Sequence, residues 1–178
     1  MLSYNVAGLL RAAPGTKRVY PVEVADLPIA EDLELAAPIT GEVRLSTTGR
    51  SILARAHLDT AVVEQCSRCL APVMAPVTVE IEEEALPSID LESGRALPFE
   101  GTPDALRLDE HHELDLGGAV RDAISLAEPI APLCRPDCRG LCLVCGLELN
   151  ERPDHAHPDE ALDPRLAALV GIRDRLGH

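Results

Sequence analysis

The sequence predicts an α+β fold: an antiparallel sheet with flanking short helices, an acidic insertion and a zinc-clipped, Cys-rich C-terminal segment. Three observations carry this expectation. Segments 41–45, 52–64 and 73–84 alternate apolar and polar residues and are joined by short connections, as an antiparallel meander requires. From Leu116 the apolar residues Leu116, Val120, Ile124 and Ala127 recur at the spacing of one helix face. Six cysteines fall in three close pairs, two of them in the last third of the chain.

In chain order, residues 5–12 read as a short helix capped by Asn5 and ended by Pro14-Gly15. Arg18 to Val24 reads as extended. Gly41-Glu42-Val43-Arg44-Leu45 alternates as a strand, and Thr48-Gly49 signals a turn. The strand over 52–64 places Ala54, Ala56 and Leu58 on one face and Arg55, His57 and Asp59 on the other. Its alternation falters at Thr60-Ala61-Val62-Val63, where a bulge or register break is expected. Cys66-Ser67-Arg68-Cys69 is a tight connection into the strand over 73–84, so the two strands are expected to form a hairpin with Leu58, Val62, Val77 and Val79 in its core. Prolines, glycines and acids over 86–112 read as an acidic, flexible insertion, with His111-His112 in a solvated linker. Asp115 caps the helix from Leu116, and Pro129 and Pro132 end it. Asp163-Pro164 opens a terminal amphipathic helix carrying Leu166, Leu169, Val170 and Arg173.

Composition narrows the function. The 178 residues hold only Tyr4, Tyr20 and Phe99 as aromatics, which excludes an aromatic stacking platform for single-stranded nucleic acid. No apolar run has the length of a membrane span, and Met1-Leu2-Ser3-Tyr4-Asn5 lacks the features of a secretory signal, so a cytoplasmic protein is expected. The net charge is −14, but it is uneven: residues 79–129 carry 3 basic and 14 acidic groups, while 1–78 and 130–178 are nearly neutral. Such an acidic block repels free nucleic acid and attracts basic proteins. Glu82-Glu83-Glu84 reads as part of a solvated face. Phosphate-binding loops, dinucleotide fingerprints, nucleophile elbows and zinc-protease motifs are absent from the sequence, so no enzyme is expected.

The chemistry lies in the thiols. Two thiolates two residues apart can grip one ion, and Cys142-Leu143-Val144-Cys145-Gly146 has the form of a zinc knuckle. His155 and His157 offer two further ligands, although His in a loop is often merely solvated. Cys66 and Cys69 with Cys134 and Cys138 form a second candidate quartet, which would tie the sheet to the tail. Eight ligands suffice for one or two zinc ions. A redox disulfide at Cys66 and Cys69 is the rival reading, disfavoured because this pair sits between strands rather than at a helix start.

Cys66-Ser67-Arg68-Cys69-Leu70 and the run Pro132-Leu133-Cys134-Arg135-Pro136-Asp137-Cys138-Arg139-Gly140-Leu141-Cys142-Leu143-Val144-Cys145-Gly146, followed by Leu149-Asn150, resemble the YceD family of large ribosomal RNA subunit accumulation proteins. Asp163-Pro164-Arg165-Leu166-Ala167-Ala168-Leu169 resembles the family's ending. The resemblance implies one domain over 1–178, with the acidic insertion at 86–112 and the Cys/His-rich segment at 134–157. It implies a non-enzymatic role in synthesis, processing or stability of 23S ribosomal RNA. The implied partner is that RNA or a pre-ribosomal particle, reached directly through Arg68, Arg135 and Arg139 or through a basic ribosomal protein; no membrane and no small-molecule substrate are expected. Family members often end this segment with Cys-x-Cys, where this chain has His155-Ala156-His157. The competing expectations are a thiol–disulfide redox protein and a zinc-dependent protein-interaction module.

Overall fold

Alternation along four neighbouring segments builds the sheet, because each strand can bury only every second side chain. A computed structural model describes residues 2–30, 33–98, 105–157 and Leu169. The elements are β1 (Ser3–Asn5), α1 (Ala7–Leu10), β2 (Lys17–Val24), β3 (Glu34–Thr47), β4 (Ile52–Gln65), β5 (Pro72–Leu86), β6 (Leu106–Arg107), β7 (Glu113–Asp115) and α2 (Gly117–Leu126). Strands β2 to β6 form one sheet in sequence order, and β1 pairs with β7 in a separate two-stranded ribbon.

The expected hairpin is present. β4 and β5 pair antiparallel without interruption from Ile52 opposite Ala85 to Gln65 opposite Pro72. Leu58, Val62, Val77 and Val79 are all buried, with Val43, Leu45, Ala54, Ile81 and Ala85. Leu9 of α1, Val120 and Ile124 of α2, and Leu108, Leu114 and Leu116 beside them belong to the same core. Aliphatic and alanine side chains thus do the work that aromatics do in most cores. The opposite face presents Arg55, His57 and Asp59 on β4 beside Glu82, Glu80 and Thr78 on β5.

Several expectations need correction. The sheet is not wholly antiparallel: β6 runs parallel to β5, with Ala85 opposite Leu106 and Leu86 opposite Arg107. The chain leaves β5, crosses over and returns in the same direction. Leu106 packs against the core and Leu108 is buried, a period-two signal too short to stand out among acids. The acidic segment 86–112 therefore contributes a strand, and its described part also contains a loop closed by a bridge from Ile89 to Ala96. Within that loop Asp90 accepts from the Ser93 N–H at 2.7 Å and the Ser93 hydroxyl at 2.6 Å. The strand expected over 41–45 extends from Glu34 to Thr47. While β4 and β5 stay in register, the register break expected at Thr60-Ala61-Val62-Val63 is present in the pairing of β3 with β4: shifts between Leu35 and Ala37 and between Ala37 and Thr40 fall opposite Val62, Ala61 and Asp59. Pro38 sits there; it has no N–H for a ladder, and the shifted register accommodates it.

The first helix begins at Ala7, not Asn5, which instead lies in β1. Asn5 still serves the turn: its Oδ1 accepts from the Ala7 N–H at 3.3 Å. His111-His112 is a tight turn joining β6 to β7 rather than a loose linker. Asp109 Oδ1 accepts from the backbone N–H groups of His111 at 2.8 Å and Glu113 at 2.7 Å, and His112 is left-handed with φ 58°. Helix α2 starts as expected near Leu116, with Asp115 Oδ1 accepting from the Gly117 N–H at 2.8 Å. The helix expected from Asp163 lies outside the described residues, apart from Leu169.

Gly41 marks the closest approach in the sheet. Its φ is 146°, and a Cβ there would lie 2.1 Å from the His57 carbonyl oxygen. The face assignment is testable by substitution. Leu58→Ala should cost about 3 kcal/mol, the usual loss for a buried leucine. Met74→Ala, at a side chain 73% exposed on the other face, should change stability by less than ~0.5 kcal/mol. Urea unfolding of the two variants checks this; equal losses would place the core on the wrong face.

Candidate metal centres

A Cys-x-x-Cys segment can wrap an ion only if the chain reverses just after the first thiol and turns backbone N–H groups towards sulfur. Both such segments here reverse in the same way. At the β4–β5 connection the Cys66 N–H donates to the Ala71 carbonyl at 2.8 Å, and the Cys66 carbonyl accepts from the Leu70 N–H at 2.9 Å. In the tail the Cys142 N–H donates to the Leu147 carbonyl at 2.8 Å, and the Cys142 carbonyl accepts from the Gly146 N–H at 2.8 Å. The fifth residue of each turn is left-handed: Leu70 with φ 61° and Gly146 with φ 71°. Glycine takes this conformation freely, whereas leucine gives up about 1–2 kcal/mol to hold it.

These turns bring together two quartets: Cys66, Cys69, Cys134 and Cys138, and separately Cys142, Cys145, His155 and His157. Within each, the candidate ligand atoms all lie within 4.8 Å of one another, so each could hold a metal ion. The first quartet joins residues far apart in sequence. Cys66 Sγ is 3.8 Å from Cys138 Sγ, and Cys69 Sγ is 3.6 Å from Cys134 Sγ. Cys66, Cys69 and Cys138 are buried and form a small apolar cluster with Ala71, Val73, Leu133 and Leu141. The second quartet is more open. Cys145 Sγ lies 3.2 Å from Nε2 of both His155 and His157, whose Nε2 atoms are 2.9 Å apart.

The tail is held on the first knuckle by backbone contacts. The Ser67 N–H donates to the Pro132 carbonyl at 2.9 Å, and the Leu141 N–H donates to the Arg68 carbonyl at 3.1 Å. Gly140 makes this approach possible: with φ 75°, a Cβ would lie 2.8 Å from the Arg68 carbonyl oxygen.

The thiols divide by environment. Backbone N–H groups of Cys134, Cys69 and Arg68 face the Cys66 sulfur and lower its pKa to about 6. The N–H groups of Cys145 and Val144 lower Cys142 likewise to about 6. Cys134 is exposed as a residue, but its sulfur is turned into the other three. Loss of water there, followed by hydrogen bonding with Cys138, pushes it up to about 12. The Asn150 amide draws Cys138 downwards. Cys66 and Cys138 are thus drawn down while Cys69 and Cys134 are pushed up, since thiols this close share charge poorly without a cation.

Arg68, Arg135 and Arg139 do gather around the tail, and all three are exposed. Each also has a bond within the protein. Arg68 Nη1 donates to the Cys138 carbonyl at 2.7 Å, Arg135 Nη2 to Asn150 Oδ1 at 2.8 Å and Arg139 Nη1 to the Pro153 carbonyl at 2.8 Å. Arg68 and Arg139 line one groove with Asp137, Cys138, Leu149, Pro153 and His155; Arg135 stands outside it. Sequence reasoning missed Leu70, Gly140 and Asn150 as parts of the site. Only Gly140 carries a local signal, a glycine wedged between two cysteine pairs.

The family model of the large ribosomal RNA subunit accumulation protein YceD matches residues 54–173. The chain belongs to the YceD family. The match takes in the β4–β5 hairpin from its third residue and both quartets. An uncharacterized protein of Mycobacterium tuberculosis (strain H37Rv) is 34% identical over 134 residues, covering 72% of this chain and 59% of its own length. An uncharacterized protein of Mycobacterium leprae is 30% identical over 145 residues, 79% of this chain and 61% of its own. The matched part is thus about three fifths of these curated relatives. A chloroplastic YCED homolog 1 of Zea mays, named as a large ribosomal RNA subunit accumulation protein, is 45% identical over 38 residues, 21% of this chain and 13% of its own. No solved structure matches. Among the described residues, no helix is long and apolar enough to cross a membrane.

The contrasting environments of the Cys134 and Cys142 thiols give a direct test. In metal-stripped protein near neutral pH, limited iodoacetamide should modify Cys142 well before Cys134, although Cys134 is the more exposed. Peptide mass mapping reads the order; Cys134 reacting first would contradict the environments described.

Proposed function

We propose that this member of the YceD family is a non-catalytic factor for accumulation of large-subunit, 23S ribosomal RNA, and that it holds two structural zinc ions. The observation that carries the first part is the family match over 54–173. The donor set supports the second. Tetrahedral zinc with Zn–S bonds of ~2.3 Å needs sulfurs about 3.8 Å apart. The Sγ–Sγ distances of 3.8 and 3.6 Å in the first quartet meet that requirement. Cys66, Cys69, Cys134 and Cys138 would hold one ion, and Cys142, Cys145, His155 and His157 the other. Bound zinc would supply folding energy by tying the tail to the hairpin. Four protein ligands close each site, which leaves no position for an activated water.

The lowered Cys66 thiol also favours a redox reading, since a thiolate near neutral pH is what disulfide exchange needs. Convergence of four sulfurs rather than two favours the ion. A disulfide between any two would leave the other pair crowded and uncompensated.

For the partner, the solvent face of the sheet supports the route through a basic ribosomal protein. Glu80, Glu82 and Glu84 stand exposed along β5. Among them Glu82 is paired with Arg55 at 2.8 Å. Direct contact with RNA would use Arg68, Arg135 and Arg139, whose guanidinium groups are already engaged in holding the tail.

Depletion of the protein in its host should lower the ratio of 23S to 16S ribosomal RNA, and re-expression should restore it. Cys66→Ser with Cys69→Ser should fail to restore it. Glu80→Gln, Glu82→Gln and Glu84→Gln together should weaken association with pre-ribosomal particles in a salt-sensitive way. An unchanged ratio after depletion would overturn the proposal.

A further inference from the structure

We propose that Asn150 couples the two metal centres, so that an ion held by Cys142, Cys145, His155 and His157 tightens the hold of Cys66, Cys69, Cys134 and Cys138 on theirs. The inference rests on reading both quartets as metal sites.

Asn150 lies between the two ligand pairs of the second quartet, after Cys145 and before His155. Its side chain nevertheless serves the first quartet. Its Nδ2 donates to Cys138 Sγ at 3.3 Å. Its Oδ1 accepts from the Arg139 N–H at 2.9 Å and from Arg135 Nη2 at 2.8 Å. Those two donors fix which end of the amide is oxygen, because neither can donate to an NH₂ group. Glu148 Oε1 accepts from the same Nδ2 at 3.2 Å and helps to aim it. The segment around Asn150 is also laced to the first centre by the backbone: Leu149 N–H donates to the Gly140 carbonyl at 3.0 Å, and Leu141 bridges to Glu148.

A hydrogen bond to a ligating thiolate steadies its charge and fixes its direction, and loss of such partners weakens metal binding. Here the donor rides on a loop whose two ends are the ligands of the other ion. Binding there removes the conformational freedom of the loop, so Asn150 is already in place when the first centre loads. Linkage makes the effect reciprocal: whatever factor the second ion contributes to the first, the first contributes to the second. Asparagine is suited to this place because an aspartate could accept from Arg135 and Arg139 but could not donate to sulfur.

The full chain would be equilibrated in zinc buffers, pulse-alkylated and peptide-mapped, which gives the free zinc that half-protects each cysteine. His155→Ala with His157→Ala should raise the midpoint of Cys138 about tenfold. Asn150→Asp should do the same. Combining all three changes should raise the Cys138 midpoint no further than Asn150→Asp alone. Cys66→Ser with Cys69→Ser should raise the Cys142 midpoint by the same factor that the histidine changes raise that of Cys138. Asn150→Asp behaving as wild type would reduce Asn150 to a scaffold residue and overturn the proposal, as would shifts that multiply. Protection of both quartets at independent midpoints would defeat only the coupling. Absence of zinc protection at any cysteine would defeat the metal reading as well.

Discussion

Four sulfurs from segments 65 and 72 positions apart meet at the end of the β4–β5 hairpin, and the tail depends on that meeting for its place. Thiols at such separations cannot all become thiolates in a poorly hydrated pocket without a cation between them. Backbone N–H groups hold Cys66 near 6, while loss of water and then the neighbouring thiols push Cys134 to about 12. A bound ion would convert this crowding into attraction; the tail meets the knuckle through Arg68, Gly140 and Leu141. Residues 134–157 contain no helix and no regular strand, so individual hydrogen bonds, those of Arg68, Arg135 and Arg139 among them, fix their path.

The sheet provides what such a closure needs: a rigid base. β4 and β5 are long, fully paired with each other and buried on one face, so the knuckle between them is placed by the core rather than by a loop. The same strands carry charge on their other face. The molecule is therefore divided between an acidic sheet surface and a thiol-rich end trimmed with arginines.

Local patterns were legible in the sequence and long-range relations were not. Alternation over 52–64 and 73–84 revealed the hairpin and its core because period two is a local property. Cysteine spacing likewise revealed the candidate ligands, and the two quartets assemble in the combination that the spacing favoured. Strand β6 was hidden because two residues in an acidic, Pro-rich stretch carry no readable period, and only the neighbouring β5 gives them a partner. Strand β3 runs through Pro38, and register shifts against β4, a long-range relation, are what admit it. Asn150 was invisible as a functional residue, since its role depends on the tail folding back over Cys138. Arg68, Arg135 and Arg139 read from sequence as candidate RNA contacts, and their bonds to the tail, which depend on its long-range path, carry no local signal.

The claim that both quartets are closed metal centres is most directly tested by X-ray absorption at the zinc edge of the purified protein. The account predicts two zinc ions per chain whose average surroundings are three sulfurs at ~2.3 Å and one nitrogen at ~2.0–2.1 Å. Six thiolates and two imidazoles shared between two ions give that average. Surroundings dominated by oxygen, or protein purified under reducing conditions that takes up no zinc when it is supplied, would contradict it.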